Sequence, residues 1–241
     1  MEIKYAIVSS DENPLYRDFW PIVRDLWSNH IGIKPVFLFI TNKDEVIDHG
    51  EYIVHKVKSI EGVGTGLQSQ IIRMYATKFY PNDVCITSDI DMLPLGKSYF
   101  KSICNEYDDD NIIILSSDAY PNKVRYPICY NVGKGSTFNE VLDLNCSFEE
   151  YVKRLTSFNW GWDTDELYFG KRINEFGNQD RVIKLNRGWS QGIANKRIDR
   201  VRWGYVKDVL QKGEYIDSHS LRPYIQHKRH IGKLISDLNG N

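Results

Sequence analysis

The 241-residue chain reads as one three-layer α/β domain. Three observations predict it. Short apolar runs bounded by polar residues, such as Val36-Phe-Leu-Phe-Ile40 and Val84-Cys-Ile86, have the length of buried strands. Between them lie segments of helical period; in residues 67–80, Leu67, Ile71, Met74 and Tyr75 share one face. The two kinds of segment alternate through the first half, as in a sheet covered by helices on both sides.

Residues 4–9 form the first expected strand. It ends in Ser9-Ser-Asp-Glu-Asn-Pro14, whose small polar residues can cap a helix and whose proline suits its first turn. That helix, residues 15–29, must bend or restart at Pro21, which has no amide to donate. Strands follow at 34–41 and, with weaker alternation, at 51–57. Glu61-Gly-Val-Gly-Thr-Gly66 lacks the lysine and Ser/Thr of a phosphate-cradling loop and reads as a connection. The helix it opens, 67–80, carries Gln70, Arg73 and Thr77 on a second face. A strand at 84–86, a helix near 97–106 and a strand at 111–115 come next. Residues 125–135 read as an extended segment closing in a glycine loop, followed by serine-capped helices at 136–144 and 147–156. Residues 1–224 make a single domain, and 225–241 a C-terminal tail able to form a helix.

Composition narrows the class. A hydrophobic content of 41% supports a real core, and a formal net charge of −1 gives no overall attraction to nucleic acid. Four cysteines, widely spaced and without a Cys-x-x-Cys pair, argue against a zinc site or a disulfide framework. The charged first residues read as a strand rather than a signal peptide, and no run approaches the roughly 18 apolar residues of a membrane span. A cytoplasmic, reducing compartment is therefore expected. Basic residues collect late, among them Arg187, Arg197, Arg200 and Arg222, as a solvated face or as a pocket for an anionic substrate.

Two stretches carry chemistry. In Thr87-Ser-Asp-Ile-Asp-Met-Leu-Pro94, Asp89 and Asp91 stand at the carboxyl end of a buried strand, where ligands of such sheets gather. Unpaired buried carboxylates are strongly disfavoured, and a hard divalent metal with the phosphates it carries is a fitting partner. The other Asp-x-Asp pairs differ: Asp108 and Asp110 lie in a polar turn, and Asp163 and Asp165 in the second stretch. There, in Phe158-Asn-Trp-Gly-Trp-Asp-Thr-Asp-Glu166, Asp163 can cap a helix running to 177 with Glu166 at its third position. Alternatively the tryptophans offer flat faces to sugar rings, with Asp165 or Glu166 as general base. Both readings can hold together. Late in the chain, His219 in Asp217-Ser-His-Ser-Leu-Arg-Pro223 would complete a carboxylate, carboxylate and imidazole set suited to Mn²⁺. His227 and His230 read as surface residues.

Taken together, these motifs resemble the GT-A glycosyltransferases over roughly residues 1–224. The resemblance implies a Rossmann-like GT-A fold with a mostly parallel, mixed central sheet. It also implies sugar transfer from a nucleotide-diphosphate donor, a UDP-sugar first, to a hydroxyl of a glycan, with Mn²⁺ or Mg²⁺ bound. Asp91 would ligate the metal, Asp89 would ligate it or hold the ribose, and His219 would be the late metal histidine. Ser9, Ser10, Gln70, Arg73, Ile90 and Arg222 would hold the donor; Trp160, Trp162, Tyr130 and Asn131 would face the acceptor. Trp160-Gly-Trp-Asp-Thr-Asp-Glu166 is similar to a Trp-Gly-Trp-Gly-x-Glu-Asp-Asp segment of the inverting β-1,4-galactosyltransferases, but its acids come in reversed order. The base therefore stays open between Asp165 and Glu166. Arg222-Pro223 resembles the Lys-Pro-Trp ending of some retaining members. Inversion is favoured over retention, and both over a sugar-nucleotide nucleotidyltransferase or a non-catalytic carbohydrate-binding module. Residues 126–135 and 188–202 are the loops expected to set the sugar and the acceptor.

Overall fold

The computed structural model describes residues 1–188 and 196–240. Strand β1 (Ile3–Ser10) leads into α1 (Pro14–Arg17) and α2 (Trp20–Asp25). Asn13 accepts from the Leu15 amide, while Pro14 and Pro21 stand in first turns, where a missing N–H costs nothing. The expected long helix thus breaks ahead of Pro21 rather than bending at it. A π-helical turn (Leu26–Ile31) then ends on Gly32 in the left-handed conformation.

Next come β2 (Lys34–Thr41), β3 (Glu45–Asp48), β4 (Ile53–Lys58), α3 (Thr65–Tyr75), β5 (Val84–Thr87) and β6 (Met92–Pro94). They are followed by α4 (Lys97–Ser102), β7 (Ile112–Ile114), β8 (Asn131–Lys134), α5 (Gly135–Leu142), α6 (Phe148–Thr156) and α7 (Thr164–Glu175). The last elements are β9 (Val182–Lys184), β10 (Arg197–Ile198), α8 (Lys207–Gln211), β11 (Asp217–His219) and α9 (Tyr224–Leu238).

Eight strands form the main sheet in the order β3-β4-β2-β1-β5-β8-β7-β9. Its centre is parallel, β1 pairing with both β2 and β5, while β8 runs antiparallel between β5 and β7. Edge strand β3 has no buried residue and is held by Lys34–Asp48 and Lys56–Glu45 ion pairs. A short, charged edge of this kind resists pairing with other chains. The second sheet, β10-β11-β6, is small but decisive. Its β6–β11 pairing sets His219 opposite Met92 and Asp217 opposite Pro94, bringing the late histidine to the acids after β5. Pro94 is tolerated because β6 is an edge.

The expected glycine loop at 135 is instead the start of α5. A Cβ on Gly135 would collide with the carbonyl oxygens of Thr77 and Tyr80, so the residue permits close backbone approach. Ser147 builds a full capping box with Glu150. Ser136 does not cap, since Lys134 stands at that position. The expected C-terminal tail is α9, whose Ile231 and Leu234 are fully buried in the same core cluster as Trp27 and Phe100. Among the described residues, no helix is long and apolar enough to cross a membrane.

Candidate active site

A cleft of about 430 Å³ opens beyond the carboxyl ends of β1 and β5. The β1–α1 connection lines it with Asp11, Asn13 and Tyr16, and α3 with Ser69, Gln70 and Arg73. Asp89, Ile90 and Asp91 line it from the turn after β5, Trp162, Asp165 and Glu166 from around the start of α7, and Arg200, His219 and Arg222 from the late part of the chain. Ten expected residues from four separate stretches therefore meet here: Gln70 and Arg73, then Asp89, Ile90 and Asp91, then Trp162, Asp165 and Glu166, and finally His219 and Arg222.

Asp91 is positioned by backbone. The chain turns after β5, with the Met92 amide donating to the Asp89 carbonyl, and the Ser220 amide donates to the Asp91 carbonyl at 3.0 Å. Its side chain is 7% exposed, and Oδ2 lies 2.7 Å from Arg200 Nη2, 3.5 Å from Arg222 Nε and 3.9 Å from His219 Nε2. Burial alone would raise its pKa, but these neighbours outweigh burial and hold it below the ordinary value. Burial also pushes His219 down to about 4. At neutral pH the imidazole is therefore uncharged, and the two arginines balance Asp91.

Arg73 is a wedge. Its guanidinium is 8% exposed and pairs with Asp89 on one side and with Asp165 on the other, the latter at 3.1 Å. It lines the cleft in which the donor was expected, and there it pairs with two carboxylates. Asp165, itself 3% exposed, is kept from the cleft's solvent by that pair and by accepting from the Glu166 amide at 2.9 Å. Burial raises its pKa and Arg73 opposes the rise. As things stand, Asp89 is turned to Arg73, and among the described residues no three acids, histidines or cysteines stand together as a metal set.

Glu166 differs from its neighbour. The Tyr120 hydroxyl reaches both of its oxygens, at 2.9 and 2.8 Å, and Arg125 lies 3.7 Å away. Burial pushes its pKa up to about 7; the Tyr120 hydrogen bond opposes this and the Asp165 charge adds to it. A carboxylate poised near neutrality is suited to proton transfer. The capping role expected of Asp163 is not realised, because its carboxylate pairs with Arg125 at 2.5 Å and makes no cap hydrogen bond.

The two tryptophans part company at Gly161, whose φ of +67° turns the chain between them. Trp162 is 60% exposed at the rim of the cleft. Trp160 stacks on Phe158, with ring centroids 4.3 Å apart, and faces a separate surface groove with Leu167 and Lys171. Tyr130 and Asn131, expected at the acceptor, are both 1% exposed. Tyr130 packs edge-on against Trp27 and Phe100, and the Asn131 amide donates to the Pro127 and Ile128 carbonyls. Tyr130 just precedes interior strand β8 and Asn131 opens it, and neither side chain lines the cleft. Ser9 and Ser10 are also buried, donating to the backbone carbonyls of Ser69 and Asp11. Their place at the cleft is taken by Asp11, Asn13 and Tyr16.

The late basic cluster divides by task. Arg187 and Arg197 both clamp the fully buried Asp217, whose pKa they hold far below the ordinary range against the opposing effect of burial. Arg200 and Arg222 reach the cleft instead. Arg222 Nη1 donates to the Tyr16 hydroxyl at 2.6 Å and its guanidinium lies over that ring. Sequence reasoning did not single out Tyr16 or Tyr120, for which no local signal exists. Arg200 was visible only as one member of the basic cluster. Of the loop expected to set specificity, 188–202, residues 189–195 lie outside the described residues.

No family model matches the chain, and no curated protein matches it. Solved structures do. The apo form of the glycosyltransferase GlyE from Streptococcus pneumoniae TIGR4 matches at 11% identity and a TM-score of 0.50, over 100% of this chain and 63% of GlyE. A glycosyltransferase involved in glycosylation of the major capsid of PBCV-1 matches at 13% identity and 0.48, over 95% and 99%. The galactosyltransferase LgtC, solved with donor and acceptor sugar analogues, matches at 12% and 0.48, over 91% and 87%. The chain thus spans less than two thirds of the length of GlyE. Together with the sheet order, the likeness to GlyE establishes the fold as that of the GT-A glycosyltransferases.

Proposed function

We propose that this chain is a glycosyltransferase that moves a sugar from a nucleoside-diphosphate donor, a UDP-sugar by preference, to a hydroxyl group of a glycan. The observation that carries the reading is one cleft combining Asp91, His219 and two arginines with a carboxylate poised near neutrality. Its position beyond the ends of parallel strands is where such folds bind nucleotides.

A hard carboxylate and a neutral imidazole facing each other at 3.9 Å are donors of the right chemistry for Mn²⁺ or Mg²⁺. Asp91 and His219 would hold the ion, with Asp89 as the third candidate, and its chemistry would be to neutralise charge on the departing diphosphate. Arg222 adds positive charge beside Asp91. Tyr16, held by Arg222, presents a flat ring to the nucleoside. Glu166 takes the proton from the attacking hydroxyl, and the Tyr120 hydrogen bonds fix its orientation. Asp165 acts on position rather than on the proton, because Arg73 ties it to Asp89. Trp162 offers the acceptor an exposed aromatic face at the rim. A base such as Glu166 favours inversion; the arginine at 222 beside Asp91 is the feature that supports retention instead.

The test is to incubate the protein with Mn²⁺, a panel of nucleotide-sugars and a mixture of oligosaccharide acceptors, and to measure released nucleotide. Transfer is the expected outcome, with UDP-sugars preferred and the anomeric configuration of the product read by NMR. Absence of both turnover and nucleotide binding across the panel would refute the reading.

A further inference from the structure

Arg200 is held at its root and only partly committed at its tip. It follows β10, whose Arg197 is clamped to buried Asp217, and the Asp199 carboxylate accepts from the Val201 amide to fix the turn. From there its side chain, 16% exposed, reaches Asp91 with Nη2 at 2.7 Å. Its Nε and Nη1 are buried and without a hydrogen-bond partner among the described residues. Buried guanidinium donors are nearly always satisfied, and a planar fork of N–H groups matches phosphate oxygens two at a time.

Asp91 poses the complementary problem. A buried carboxylate left without a cation is strongly disfavoured. In the free protein the nearest guanidinium nitrogen on it is that of Arg200; when Asp91 binds a divalent cation, two positive groups would compete for one carboxylate. We propose that Arg200 is a diphosphate-binding residue which guards Asp91 in the free protein and turns to the donor's phosphate oxygens when Asp91 binds a divalent cation. The exchange keeps the buried charges paired in both states. It rests on the nucleotide-sugar reading of the cleft, and adds to it a residue and an order of events.

The test compares the wild type with Arg200→Ala and Arg200→Lys in two titrations: Mn²⁺ alone, followed by electron paramagnetic resonance of the free ion, and UDP in the presence of Mn²⁺, followed by calorimetry. Loss of charge-assisted hydrogen bonds to the diphosphate should weaken UDP binding by about 10- to 100-fold in Arg200→Ala. The same change should tighten Mn²⁺ binding in the absence of nucleotide, since Asp91 is released. Arg200→Lys, which keeps charge but not the fork, should fall between the two for UDP. A merely structural residue would weaken both ligands together. That result, or unchanged UDP affinity in Arg200→Ala, overturns the proposal. Should the alanine variant fail to fold, wild-type UDP affinity in Arg200→Lys does so equally. A wild-type protein that binds neither UDP nor GDP overturns the donor reading itself, and this proposal with it.

Discussion

Glu166 gives the sharpest single perturbation, because its carboxylate should help the reaction and harm the fold at once. Burial moves its pKa from the ordinary 4.5 to about 7. Each pKa unit corresponds to about 1.4 kcal/mol, so ionising Glu166 in the folded chain costs on the order of 3 kcal/mol. Since the folded state binds this proton more tightly than the unfolded state, the contribution is fully present below about pH 4.5 and lost as pH rises through 7. Glu166→Gln cannot ionise, and its amide oxygen can still accept from Tyr120. At pH 8 the variant should therefore melt roughly 5–10 °C above the wild type, with the two nearly equal near pH 4.5. Its kcat should fall by about 10²–10⁴, and the rise of wild-type kcat through pH 7 should vanish. Scanning fluorimetry and nucleotide release, each measured across pH 4.5–8, read the two effects. Equal melting temperatures at pH 8, or an undiminished rate, would refute the assignment.

Arg73→Met leaves Asp165, 3% exposed, without its cation, which should cost about 3–5 kcal/mol by urea denaturation; adding Asp165→Asn should restore part of the loss. Gly170→Ala should destabilise by about 1–3 kcal/mol despite alanine's better helix propensity, because its Cβ would collide with the Val124 carbonyl; the urea midpoint reports it. Trp162→Ala, at a residue 60% exposed, should leave stability within about 0.5 kcal/mol. Its effect belongs in the acceptor KM, which should rise while the donor KM holds; a change confined to the donor would remove Trp162 from the acceptor side.

What the sequence disclosed depended on how locally each feature is encoded. The apolar run before Asp89 and Asp91 marked β5 because four consecutive buried residues leave a readable pattern. The serine cap at Ser147 was readable because its hydroxyl and the amide it accepts from lie three residues apart, whereas the reciprocal bond from Glu150 came with the structure. Strand β3 was not, since its stability comes from pairing with β4 and from charged side chains. The neighbours of Asp91 depend on β6 finding β11, more than a hundred residues away, so no spacing could have announced Arg200 on that carboxylate. Trp160 and Trp162 look like one platform in sequence, yet a left-handed glycine sends them to different surfaces. Tyr130 and Asn131 are polar residues of the kind sites use, but Asn131 opens a strand that lies between two others and Tyr130 packs against Trp27 and Phe100. Residue type suggested a role there; burial decided it.

The central claim is that Asp91 exchanges an arginine for a cation that carries an activated sugar. A crystal soaked with manganese and a UDP-sugar tests it directly through anomalous scattering. The account predicts a manganese peak within about 2–2.5 Å of an Asp91 oxygen and of the His219 ring, with Arg200 displaced onto the diphosphate. A map with no peak there, and with Asp89 and Asp91 still paired to Arg73 and Arg200, would contradict it.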